Sequence, residues 1–147
     1  MGRINMGRVI VGGLLAGLII NISEFVLNGV VFAEDMNAAM AAINKPPIAN
    51  SMIVWFVILG FGIGFMVVWL YAAIRPRLGP GAQTAICAAL VVWGLAYLYP
   101  NLFIIIMNIF PRRMMVIGTV WGLVEVVVAG LAGAWGAFQP ALSTAGL

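Results

Sequence analysis

The sequence predicts an all-α membrane protein: four transmembrane helices in an antiparallel bundle, with a short interfacial helix between the first and second. Three observations predict it. The chain has 147 residues, 65% of them hydrophobic and only 7% charged, whereas a soluble domain carries about 25% charged residues. Mean hydropathy is +1.17. The apolar residues gather into four runs, about 9–33, 48–74, 82–110 and 114–138. Each exceeds the ~20 residues that a helix needs to cross ~30 Å of hydrocarbon. The runs are continuous, without the two-residue alternation of barrel strands, and a helix pairs its own backbone groups in lipid. Residues 1–147 therefore read as one integral membrane domain.

Each connection has its own punctuation. After span one, Asp35 is placed to cap a short helix over 35–44, with Met36, Met40 and Ile43 on one side and Lys45-Pro46-Pro47 ending it. Arg75 to Gly81 reads as a tight turn rich in helix breakers, and Pro111-Arg112-Arg113 makes the last connection. Trp55, Trp69, Trp121 and Trp135 fall toward the ends of spans two and four, as an aromatic belt requires. Val31-Phe32-Ala33 looks like a signal-peptidase site, but the apolar run before it is too long for a signal core and contains Asn21 and Glu24. An uncleaved first span is expected.

Charge orients the bundle weakly. With the amino terminus inside, Arg3, Arg8, Arg75 and Arg77 face the cytoplasm, and Lys45, Arg112 and Arg113 lie outside. Both termini are expected in the cytoplasm, in a bacterial inner membrane. A net charge of +3, with no basic cluster, leaves no footprint for nucleic acid.

Polar and small residues share helical faces. Gly13, Gly17, Asn21, Glu24 and Asn28 are separated by four, four, three and four residues, which places them on one side of span one. Gly118, Gly122, Glu125, Ala129, Ala132 and Gly136 do the same in span four. Span two offers Gly60 and Gly64, with Gly62 alongside, and span three aligns Trp93, Tyr97, Asn101 and Asn108. Helices in lipid associate through close approach at small residues and through interhelical hydrogen bonds. Gly13, Gly17, Gly60, Gly64, Gly118 and Gly122 are accordingly read as helix-packing positions.

Two carboxyls stand out. Counting 1.5 Å per residue from the cytoplasmic ends puts Glu24, Tyr97 and Glu125 all about 20–22 Å up. A carboxyl at mid-membrane is costly and turns toward the bundle interior, and no Lys or Arg lies deep in any span. The expected companions are Asn21, Asn28, Tyr97 and Asn101, with a proton, a bound cation or a partner subunit completing the site. Glu125 is expected among small and aliphatic neighbours only. Pro100 is placed to kink span three beside this level.

Several chemistries are not supplied. There is no histidine and one cysteine, Cys87, so no His-based, haem or thiolate metal site can be built from one chain. Ser23, Ser51, Thr84 and Thr119 have no general base of the Ser–His kind. No enzyme activity, cofactor or metal is expected.

On Glu24 within span one, the pair Trp93 and Tyr97 in span three, four spans and a weak charge bias, the chain resembles the small multidrug-resistance exporters in outline. Those proteins are shorter, lack a connection like 34–47, and share no local motif around Glu24. The resemblance implies a dimer with Glu24 as a shared proton and substrate site. The glycine faces of spans two and four exceed what four helices need among themselves. The first expectation is therefore an accessory, assembly or scaffolding subunit in a homo-oligomer or larger membrane complex. The second is a proton-coupled small transporter or ligand-binding bundle using Glu24 and Glu125.

Overall fold

The computed structural model describes residues 4–138 and contains no strand among them. Four helices are long and apolar enough to cross a membrane: Met6–Val31, Asn50–Leu78, Ala82–Ile106 and Arg112–Phe138, here spans one to four. Span one starts where Asn5 accepts a hydrogen bond from the Arg8 backbone N–H at 3.2 Å, satisfying a free amide of the first turn. Spans one and three each contain one π-helical turn, at Leu27–Val31 and Gly94–Leu98.

The connections differ from the sequence reading in three places. The short helix runs over Ala33–Ala42, not 35–44, and no side chain caps it. Asp35 is not its cap; with Glu34 it occupies the first turn, where the helix dipole favours negative charge. Span two does not stop at a turn from Arg75 but continues through Pro76 to Leu78. A proline there forfeits a single hydrogen bond in a final turn that is ending anyway. The true turn is Gly79–Gly81, with φ of +85° at Gly79 and +137° at Gly81, conformations open to glycine and strained for other residues. The Thr84 hydroxyl donates to the Gly79 carbonyl at 2.7 Å, and the Gly81 N–H donates to the Tyr71 hydroxyl at 3.3 Å. Span three ends at Ile106, not 110, because Asn108 turns the chain with a φ of +54°.

The spans pack by backbone approach. Gly13 lies on Phe65 and Gly17 on Phe61 and Gly64, while Asn21 reaches Gly60, so numbers fall along span two as they rise along span one. Gly12 meets Gly133 and Ala137 of span four, and Ser23 of span one meets Trp121. A side chain on Gly64 would run into the Gly17 backbone, and one on Gly12 into the Gly133 carbonyl. The core around this seam holds Ala16, Ile20, Val67, Val68, Ala88, Ala89, Val126 and Ala129 from all four spans. A second cluster, Leu27, Phe32 and Met114 with Met36 and Trp121, joins the short helix to the facing ends of spans one and four.

The packing is uneven along the membrane normal. Every residue from Asn50 to Leu59 is exposed, around the whole circumference of span two's first turns. Leu95, Tyr99, Leu102, Phe103 and Ile106 in the second half of span three are exposed as well. The bundle is tight at the Gly79–Gly81 end, whereas at the other end spans two and three are largely uncovered.

Candidate functional site: an acidic pair beside two π turns

Glu24 and Glu125 come together. Glu125 is 4% exposed, and its carboxyl adjoins both Glu24 and the Ser23 hydroxyl of span one. Tyr97 of span three faces both acids, and its hydroxyl donates to Glu125 Oε1 at 2.7 Å. The other oxygen, Glu125 Oε2, is buried with no hydrogen-bond donor. Glu24 is half-buried and accepts from the Asn28 amide on Oε2. Residues from spans one, three and four thus meet at one point, and Glu125 has polar neighbours rather than the small and aliphatic ones expected of it.

Local sequence explains the placement. Gly122 precedes Glu125 by one helical turn, and a side chain there would strike the Tyr97 ring; the glycine makes the room in which the ring lies against span four. Tyr97 sits inside the π turn Gly94–Leu98, and Asn28 inside the π turn Leu27–Val31. A π turn carries one extra residue and re-aims the side chains it contains, and such turns gather at functional sites. Pro100 lies two residues past the span-three turn. A widened turn thus lies just before the place where the sequence puts a kink.

Two of the expected companions lie elsewhere. Asn21 donates to the Gly17 carbonyl at 2.8 Å and to the Val57 carbonyl of span two at 3.2 Å, so it ties two spans together and does not serve the acids. Asn101 donates to the Thr119 hydroxyl at 2.8 Å, which in turn donates to the Met115 carbonyl at 2.7 Å. The Trp93 indole donates to the Thr119 carbonyl at 2.9 Å. Among the glycines, Gly13, Gly17, Gly60, Gly64 and Gly122 lie against other spans, but nothing lies within 4 Å of a side chain built on Gly118, Gly62 or Gly94.

Two site residues were missed from sequence. Ser23 lies beside Glu125, and the Trp121 indole donates to the Ser23 hydroxyl at 2.8 Å. Spacing held a signal for both: Ser23 precedes Glu24, and Trp121 lies four residues before Glu125 on the same face.

Chemically, the site offers two carboxyls, a phenol, a hydroxyl and an amide, with no basic side chain. No group of three or more His, Cys, Asp or Glu that could hold a metal occurs among the described residues. Compared with models of known protein families, with curated proteins and with solved structures, the chain matches none.

Proposed function

We propose that the acidic pair holds one proton between Glu24 and Glu125 and releases it when a lipophilic cation takes its place. The protein would then be a small proton-coupled transporter or ligand-binding bundle. One observation carries this reading: Glu125 Oε2 is buried without a donor while the Glu24 carboxyl stands beside it. Two adjacent carboxyls in a dry site do not both ionise at neutral pH, and a shared proton supplies the missing hydrogen bond. An unpaired charge at this depth costs at least about 2.5–3.5 kcal/mol, so a departing proton leaves a strong pull for a cation. The half-exposed Glu24 gives that cation a way in.

The test measures proton release from the purified chain in lightly buffered detergent on adding tetraphenylphosphonium. About one proton per bound cation is expected, with both binding and release lost in Glu24→Gln. Cation binding that persists unchanged in Glu24→Gln and Glu125→Gln, or no release at all, overturns the reading.

A second reading, an accessory subunit in a larger membrane complex or homo-oligomer, is favoured by the uncovered helix Asn50–Leu59 and by the open sides of Gly62, Gly94 and Gly118. Close contact at small residues is how helices meet in lipid. Purification from the native membrane in mild detergent separates the two. Co-migration with a stoichiometric partner, abolished by Gly62→Leu or Gly118→Leu, supports docking.

For orientation, we place the end bearing Arg8, Arg75 and Arg77 in the cytoplasm of a bacterial inner membrane, where the described chain starts and ends. No side-chain carboxylate lies at that end, whereas Glu34 and Asp35 share the other with Lys45, Arg112 and Arg113. The short helix Ala33–Ala42 then lies along the outer surface.

A further inference from the structure

The tight end of the bundle contains a feature that the acidic pair does not use. A cavity of about 830 Å³ opens between spans two, three and four, lined by Tyr71, Arg75, Ala82, Leu131, Trp135 and Phe138 among others. We propose that this cavity binds the headgroup of an acidic phospholipid, with Arg75 holding the phosphate.

Arg75 is half-buried, and its guanidinium stacks over the Phe138 ring, 4.8 Å from the centroid. No acidic side chain answers its charge among the described residues. The four acidic side chains of the chain are Glu24, Glu34, Asp35 and Glu125, all at mid-depth or at the opposite end. A guanidinium fixed by stacking keeps its donors free and correctly splayed for a phosphate diester. The phosphate would also face the start of span three at Ala82, where no side chain caps the free backbone amides.

The rest of the lining selects an amphiphile over a free anion. Phe138, Leu131 and Trp135 are apolar, and Trp135 is 67% exposed on the outer side of span four. Val128 and Val124 continue that exposed stripe down the helix, a track for an acyl chain. Arg77, two residues beyond Arg75 and exposed, adds to the local positive field without lining the cavity. Basic groups at a membrane surface attract acidic lipid in general; the stacked Arg75 makes the attraction local to one site.

The full-length chain in detergent is titrated with dioleoylphosphatidylglycerol, with dioleoylphosphatidylcholine, or with inorganic phosphate, and bound lipid is counted by native mass spectrometry. One phosphatidylglycerol per chain is expected, retained at least tenfold more tightly than phosphatidylcholine, and not displaced by millimolar phosphate. Arg75→Gln should bring phosphatidylglycerol down to the phosphatidylcholine level, while Arg77→Gln leaves it within twofold of the parent. Ala82→Trp, at the exposed rim, should block the lipid with every charge intact, which covers the case of Arg75→Gln failing to fold. Equal retention of the two lipids, equal loss in the two arginine variants, displacement by phosphate, or full retention in Ala82→Trp each overturns the proposal.

Discussion

The two halves of this bundle solve the problem of holding helices together in opposite ways. In one half, Gly12, Gly13, Gly17, Gly64 and Gly133 let spans one, two and four approach closely, with no polar side chain between these glycines and the facing span. In the other, the backbone departs from the α-helix twice, and beside a small apolar cluster contact is made by Tyr97, Glu24, Glu125, Ser23 and Trp121 through polar groups. Close packing gains dispersion energy from every atom pair and leaves no room along the glycine seam itself. Polar contact is geometrically demanding but leaves atoms such as Glu125 Oε2 with capacity to spare. Rigidity and chemistry are thereby assigned to different depths of the same four helices.

Substitutions can break this contrast, beginning with the seam. Gly64→Leu places a side chain against the Gly17 backbone, where no rotamer escapes, and should cost about 3 kcal/mol or more in detergent unfolding assays. An unchanged unfolding midpoint would mean that the seam is looser than its geometry. Tyr97→Phe removes the donor to Glu125 and leaves a buried acceptor short, at a cost of about 1–3 kcal/mol. The same assay reads it, and Glu24→Gln in that background should recover part of the loss by restoring a donor. The smallest effect sharpens the comparison most. Gly122→Ala pushes on the Tyr97 ring and should destabilise, whereas Gly118→Ala meets open space and should be neutral or up to about 1 kcal/mol stabilising through helix propensity. Equal effects of these two alanines would erase the distinction between the glycines that pack and those that do not.

The residues themselves explain what sequence could and could not reveal. The spans were legible because crossing lipid requires an unbroken apolar run, and nothing local competes with that signal. The common depth and inward turn of Glu24 and Glu125 were legible too, since each lies on the small-residue face of its helix and neither has a basic partner. That the two carboxyls adjoin was not, because it depends on how spans one and four turn about their axes. Asn21 and Asn101 were assigned to the acids and went elsewhere. An asparagine amide is satisfied by any carbonyl or hydroxyl in reach, and Asn21 finds one on its own helix at Gly17, so spacing alone does not choose its partner. The Trp121–Ser23 bond joins positions 98 residues apart, a pairing fixed only by how spans one and four turn about their axes. Pro76 misled because span two gives up one backbone hydrogen bond there and runs on, ending only at the positive-φ Gly79.

The widened turn in span three has a genetic consequence. Removing one residue from a transmembrane helix ordinarily swings everything beyond it by about 100° and ruins the packing on that side. Gly94–Leu98 already contains one residue too many for an α-helix. Loss of a single codon at the outward-facing Leu95 would therefore restore regular winding. Trp93 and Asn101, on either side, would stay in register with Thr119. Any re-aiming would be confined to the side chains within the turn, Tyr97 among them, so at this one place a deletion falls on the site rather than on the scaffold.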